Sequence, residues 1–247
     1  MEWSKIKNIL IIALLLINVL FLYMMAQPSG AESDGGNQET LLADTLSVLE
    51  DNGITVRADT GFDAPELPIL TLQFDGDNGT YDYAPSGKSL YLNEDSALEE
   101  ADRFITEKGT FGTLGKEIRA DSITVSESRP DWFVVTYGGY YENYRIKELY
   151  VTCTVSSSGV LRMEKQWAQV TEAGRNRRAL IPVTSALLHY MDRVLSDEPG
   201  AEKTVTGISV AYTVNTPYDG TVASDTAFPA WRFDASDGNS VYIPAYQ

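Results

Sequence analysis

The sequence predicts an α+β protein in which an N-terminal transmembrane helix precedes an extracytoplasmic domain of helix-plus-antiparallel-sheet modules. Three observations carry that expectation. Ile9 to Ala26 is an apolar run interrupted only by Asn18. Helical spacing of apolar residues recurs three times after it. Each helical stretch leads into segments rich in β-branched and aromatic residues, several with strict alternation.

Composition narrows the function classes. The chain has 247 residues, with 19 Lys+Arg against 35 Asp+Glu and a net charge of −16. Hydrophobic residues at 43% and charged residues at 22% suit a folded domain, which argues against low complexity and global disorder. So acidic a chain repels phosphate polymers, and no nucleic-acid partner is expected. The same surface attracts cations or a basic protein face, or simply confers solubility. One cysteine excludes an internal disulfide framework and a cysteine-based zinc cluster. One histidine excludes most histidine-rich metal sites.

The first 26 residues define a short cytoplasmic stub and an anchor. Extended back to Ile6, the apolar run spans about 20 residues, the length that crosses a bilayer as helix. Lys5 and Lys7 precede Ile9, and no basic residue follows the run until Arg57. That asymmetry places the N-terminus in the cytoplasm and the remainder outside, in the cell membrane as a single pass. Trp3 and Tyr23 stand at the two ends, where amphipathic rings favour the headgroups. A cleaved signal peptide ending near Ser29-Gly30-Ala31 is the competing reading, but its apolar region is typically shorter. Asn18 lies near mid-span, so its amide either bonds a second transmembrane helix or returns to its own backbone. On the first alternative, Ile9, Ala13, Leu14, Asn18 and Leu22 supply helix contacts.

Residues 27–39 are rich in Pro, Gly, Ser and acids and read as a flexible linker. Three segments follow: 40–92, 93–171 and 180–247. In the first, Leu41, Leu42, Leu46 and Leu49 mark a helix over 40–52 that Gly53 stops, and Ile54–Val56 is a short strand. Ile69–Phe74 and Thr80–Tyr83 read as strands paired across an Asp75–Gly79 turn, with Leu90–Leu92 as a third. In the second, Ser96 and Glu99 have capping-box spacing at a helix whose apolar face is Leu98, Ala101, Phe104 and Ile105. A meander over Ser122–Glu127, Asp131–Tyr137, Ile146–Val155 and Val160–Val170 follows. In the third, Pro182 opens a helix carrying Ala186, Leu187, Tyr190, Met191 and Val194. Strands at Val205–Val214, Ala230–Asp234 and Ser240–Ile243 follow, the last two joined by an Asp237-Gly238 turn. Ala101-Asp102-Arg103-Phe104 and Met191-Asp192-Arg193-Val194 sit at comparable places in the second and third helices, an echo of duplication.

The residues offer little chemistry. Cys153 alternates with Leu149, Val151 and Val155, which predicts a buried, inert thiol. His189 has no partner in sequence. Asp75–Gly79 begins like a calcium loop, but Ser86 occupies the position that requires Glu. Glu99 and Glu100 diverge on a helix and read as a solvated face. Phosphate-binding glycine loops, nucleophile elbows and zinc-protease motifs do not occur in the sequence. No enzyme activity, cofactor or metal is therefore expected. Two features suit a partner surface: the basic cluster Arg175, Arg177 and Arg178, and Tyr140 and Tyr141 within the 137–144 stretch YGGYYENY.

The opening Met1-Glu2-Trp3-Ser4-Lys5-Ile6-Lys7 with its apolar run resembles the start of YycI-type regulatory proteins, members of the YycH/YycI superfamily. Asn52-Gly53-Ile54-Thr55-Val56 leading to Glu66-Leu67-Pro68-Ile69-Leu70 is similar to the same family. So is the ending Phe228-Pro229-Ala230-Trp231-Arg232-Phe233 with Val241-Tyr242-Ile243-Pro244-Ala245. The resemblance implies a single-pass accessory of the YycFG (WalRK) cell-wall two-component system. Such a protein associates with the sensor histidine kinase through transmembrane helices and alters its activity, with a YycH-type paralogue as a further partner. It implies no catalytic residues. The alternative that the residues leave open is an extracytoplasmic binding module for a cell-wall fragment or peptide.

Overall fold

The computed structural model describes residues 34–61, 64–87, 89, 91–108, 118–126, 129–214 and 224–246. The predicted span, with Trp3, Lys5, Lys7, Ile9, Ala13, Leu14, Asn18, Leu22 and Tyr23, lies outside the described residues. Among the described residues, no helix is long and apolar enough to cross a membrane.

The chain divides into two compact units, Met1–Ser47 and Val48–Gln247. Helix α1 (Asp34–Asp51) contains the boundary. Residues 34–39, expected as linker, belong to this helix. Within the first unit, Thr45 Oγ1 donates to the Leu41 carbonyl one turn back, at 2.7 Å. The helix ends as its sequence predicts. Gly53 takes a left-handed φ of +81°, a conformation that disfavours a Cβ. Asn52 donates its side-chain amide to the Val48 carbonyl at 2.8 Å, satisfying a terminal group.

In the second unit the elements run β1 (Ile54–Val56), β2 (Leu70–Phe74), β3 (Gly79–Asp82), α2 (Glu94–Lys108), β4 (Ile118–Val125), β5 (Phe133–Tyr141), β6 (Tyr144–Ser156), β7 (Gly159–Gln166), β8 (Ala168–Ala173), α3 (Val183–Asp197), β9 (Lys203–Val214), β10 (Ser224–Ala235) and β11 (Ser240–Pro244). The fold class is α+β, but among the described residues the three predicted segments contribute to one mixed sheet of 11 strands. β4 to β7 form one antiparallel meander and β9 to β11 another. β6 meets β9 in parallel through Arg145↔Ala211 and Ile146↔Tyr212, and β1 is also parallel to β9. The sheet is therefore not purely antiparallel as expected.

Other expectations are corrected in the same region. β2 and β3 are not a hairpin: β2 lies between β10 and β8, and β3 pairs with β7. The polar side chains between them serve distant groups instead of a turn. Lys165 is buried and its Nζ lies 2.9 Å from Asp75 and 2.6 Å from Asp77. The Asn78 amide accepts from the Trp167 N–H at 2.8 Å and donates to the Trp167 carbonyl at 2.9 Å. It thus imitates a strand neighbour where the predicted 160–170 strand breaks into β7 and β8. The predicted strand at Leu90–Leu92 does not form at Tyr91 or Leu92, and the Tyr91 ring is exposed. That segment instead leads into α2.

The capping box of α2 sits three residues before its expected place. Asn93 Oδ1 accepts the Ser96 N–H at 2.8 Å, and Ser96 Oγ accepts the Asn93 N–H at 2.9 Å. Asn93 and Ser96 have the same spacing as Ser96 and Glu99, and the shorter side chains close both bonds. Glu100 is buried rather than solvated, ion-paired to Arg103 on its own helix. α3 follows Pro182, which fixes φ for entry without sacrificing a helical bond, and it buries Ala186, Leu187, Tyr190 and Val194.

Residue parity places both sheet-packing helices on one face. On β5, Tyr137 donates to Asp102 of α2 at 2.6 Å, and Gly139 and Tyr141 share its side. Tyr141 contacts Tyr212 edge-on, and Tyr212 pairs with Pro229, which shares a side with Trp231 and Phe233. Tyr190 of α3 packs on Phe233 with ring centroids 4.9 Å apart. Trp231, Tyr190, Tyr212 and Phe233 are the largest fully buried side chains, and such aromatic burial dominates a core of this size. Their polar tips are used: Trp231 Nε1 donates to the Ile181 carbonyl at 2.9 Å, and Tyr212 donates to the Pro68 carbonyl at 3.1 Å. At the far end, Lys203 joins Glu198 after α3 to Asp237 in the β10–β11 turn, at 3.0 and 2.9 Å.

Two predictions follow from the buried polar groups. Asn78→Ala leaves the Trp167 N–H without its partner inside the sheet, while the carbonyl keeps the Asp75 N–H, and urea unfolding should show a loss of about 2 kcal/mol. Glu148 is buried on β6, with Oε1 accepting from Thr213 at 2.9 Å and Oε2 without a hydrogen-bond partner among the described residues. Burial pushes its carboxyl above the ordinary carboxylate value, partly offset by the Thr213 bond. The folded state therefore favours the protonated form. Its contribution is fully present below the unfolded value of 4.5 and is lost as pH rises through the folded one. Glu148→Gln should remove that decline, so melting curves of the variant and the wild type should diverge as pH rises, with the variant more stable at neutral pH.

Candidate functional site

Of the sequence-predicted surface residues, Tyr140, Tyr141 and Arg177 lie at the β5–β6 hairpin. Its strands are joined by Glu142 and Asn143, with Tyr141 paired to Tyr144. Successive residues on a strand point to opposite faces, so Tyr140 and Tyr141 part company. Tyr141 and Tyr144 lie edge-on to Tyr212, at 6.0 and 6.4 Å between centroids, on the helix-bearing face. Tyr246 lies close to the same group and donates to the Leu67 carbonyl. Burial pushes the Tyr212 hydroxyl well above its usual value, and the neighbouring tyrosines add to that.

The arginine loop arrives beside this cluster. Arg178 exchanges both backbone hydrogen bonds with Leu67, each 3.2 Å, which fastens the loop to the segment before β2. Arg177 then reaches Glu142, with Nη2 3.5 Å from Oε1 and both side chains about half exposed. From the other side, Arg119 of β4 donates to the Glu142 carbonyl at 3.3 Å and to Asn143 Oδ1 at 3.1 Å. Arg175 is exposed on the same loop. The tip is therefore flanked by Arg177 and Arg119, and Arg178 lies next to Tyr246, whose hydroxyl it draws downward against the effect of burial.

On the opposite face, Tyr140 donates to Asp121, and the Arg119 guanidinium lies 4.8 Å from its ring centroid. Burial and the Asp121 hydrogen bond raise the Tyr140 hydroxyl to about 12. Arg145 pairs with Asp121 at 2.6 Å and is mostly buried. Its Nη1 donates to the carbonyls of Ile146 and Leu149, the latter at 2.6 Å. Those carbonyls border a break in the β5–β6 ladder. Gly138 pairs with Tyr150 and Gly139 with Ile146, so 147–149 have no β5 partners. Arg145 is thus a structural plug rather than an exposed recognition group. Lys147, on the extra segment, lies over the Tyr242 ring at 5.3 Å.

Both glycines in this stretch are explained by space. A Cβ on Gly138 would stand 2.3 Å from Arg145 Nε and from Asp121 Oδ2. One on Gly139 would stand 2.6 Å from Leu149 Cβ and 2.9 Å from the Trp167 ring. They therefore serve packing at the ladder break and not flexibility at a groove.

Cys153 is fully buried, and burial raises its thiol to about 12, in keeping with an inert core residue. His189 is exposed on α3. Among the described residues, no group of three or more His, Cys, Asp or Glu is placed to hold a metal ion. Asp75 and Asp77, the start of the calcium-like loop, are engaged with Lys165.

Sequence reasoning missed Glu142, Arg119, Tyr212 and Tyr246 as members of this region. Glu142 stood within the quoted tyrosine stretch. The others come from strands and a terminus that only the sheet order brings near. No family model matches the chain, and no curated protein matches it. A solved structure of an uncharacterized protein from Eubacterium rectale is similar at 10% identity, over 89% of this chain and 81% of that one, with a TM-score of 0.41.

Gly138→Ala provides a test of the plug. The added methyl must displace the Arg145–Asp121 pair, and stability should fall by about 2 kcal/mol in urea titration.

Proposed function

We propose that this chain is a single-pass membrane accessory protein that modulates the sensor histidine kinase of a cell-wall-related two-component system. It acts mainly through transmembrane helix contact and has no catalytic role. The observation that carries the reading is the apolar run from Ile9 to Ala26, with Lys5 and Lys7 on one side and mid-span Asn18. Differential helix packing suffices for such control, because a coupling of ~1–3 kcal/mol changes an equilibrium about 5–150-fold. The family resemblance of the two chain ends supports the choice of partner.

The second reading, an extracytoplasmic binding module for a peptide or cell-wall fragment, is favoured by the arginines and tyrosines around Glu142. The two readings are compatible, since an anchored protein with a docking surface brings its partner to the kinase.

The span is testable directly. Tagged full-length chain, extracted from its native membrane in gentle detergent, should retain a sensor kinase identifiable by mass spectrometry. Replacing residues 6–26 with an unrelated apolar helix should release it. Equal retention by both forms would refute control through the span.

A further inference from the structure

We infer that the β5–β6 tip is a docking site for a short acidic peptide segment of a partner protein, and that Glu142 occupies it as an internal stand-in for the partner's carboxylate. The inference rests on the reading that the folded part docks a partner.

Glu142 is the one non-glycine residue with positive φ among the described residues, at +55°. It holds the first central position of a two-residue hairpin turn, where glycine and asparagine are the favoured residues. A charged side chain in that conformation runs against local preference, and such positions concentrate at functional sites. Here the residue does one thing that glycine cannot: its carboxylate lies 3.5 Å from Arg177. The pair is about half exposed at both ends, so it is weak and easily exchanged for an equivalent carboxylate from outside.

The surroundings suit that exchange. Arg119 is anchored to the backbone carbonyl of Glu142 and to Asn143, so it stays at the tip when the Glu142 side chain leaves. Arg178 is held in place by its backbone bridge to Leu67. The rings of Tyr141 and Tyr144 flank Glu142 and Asn143 in the hairpin and pack on Tyr212, offering apolar contact and hydrogen bonding to a peptide backbone. Guanidinium groups bind carboxylates with two parallel hydrogen bonds. Charge selects the size of the occupant. The basic residues here are few within a chain of net charge −16. A long polyanion or an anionic bilayer meets the repulsion of the whole chain, whereas a short segment with a few carboxylates meets the local arginines.

The experiment uses the full-length chain in neutral detergent micelles and a fluorescein-labelled hexaglutamate peptide, with hexaglutamine as control, followed by anisotropy at low ionic strength. Hexaglutamate should bind in a salt-sensitive manner, and hexaglutamine should not. Glu142→Gln, which keeps the shape and removes the competing charge, should bind hexaglutamate about fivefold tighter. Arg177→Gln should weaken binding and abolish the gain when combined with Glu142→Gln. Unchanged melting curves establish that both exposed substitutions leave the fold intact. Glu142→Gln binding no tighter than wild type would overturn the stand-in role. Equal binding by Arg177→Gln, or binding to phosphatidylglycerol vesicles and not to hexaglutamate, would overturn the site. Kinase retention through the span is a separate readout, so failure here leaves that reading standing and its failure leaves this one.

Discussion

The sheet is held together by one strand that changes partner. Over its first residues β6 has β5 on one side and β9, in parallel, on the other. From Tyr150 onward β7 takes the place of β9. A strand cannot hand over neighbours without leaving backbone groups unpaired, and unpaired buried groups are costly. The three-residue break at 147–149 is where this happens, and its surroundings answer the cost. Arg145 donates to the freed carbonyls of Ile146 and Leu149, while Gln166 Nε2 donates to that of Glu148 at 2.9 Å. Asp121 neutralises the arginine, Gly138 leaves room for the pair, and Gly139 leaves room for Leu149. Glu148, whose Oε2 has no partner among the described residues, belongs to the same break.

That geometry also shapes the candidate site. The ladder break fixes how the β5–β6 hairpin projects, and the hairpin carries Tyr141, Glu142 and Tyr144 to its end. The loop after β8 is fastened at Leu67, which brings Arg177 to the same end. The tyrosine cluster around Tyr212 sits where the two meanders join, because Tyr212 is one of the two β9 residues that pair with β6. The exposed tip and the structural joint are therefore neighbours.

Much of the secondary structure was legible because it follows from local pattern. The α3 periodicity, the Asp237-Gly238 turn and the burial of Cys153 between Val151 and Val155 are set by near neighbours in the chain. What was not legible depends on distant partners. Asp75, Asp77 and Asn78 have the composition of a hairpin turn, and nothing nearby in sequence reveals that they serve Lys165 and Trp167. Ser96 with Glu99 and Asn93 with Ser96 offer the same capping spacing, and only the path of the preceding chain decides between them. The parallel β6–β9 contact is two residue pairs long and leaves no periodic trace. For the site, the arginine cluster and the tyrosine stretch were each visible as composition. Their meeting at Glu142, and the separation of Tyr140 from Tyr141 to opposite faces, required the register.

The sheet order has a consequence for the order of assembly during synthesis. β1 finds its partner only when Lys203–Val205 has been made, and β2 lies against residues 224–227 of β10. The meander β4–β7, by contrast, is built from neighbours in the chain. Topology of this kind slows folding, since long loops must close before early strands gain anything from pairing. β3 and one edge of β2 are met by β7 and β8, but β1 and the other edge of β2 stay open until the last quarter of the chain arrives. Such exposure invites pairing between nascent copies. A chain arranged in this way relies on being kept apart from its fellows until it is complete.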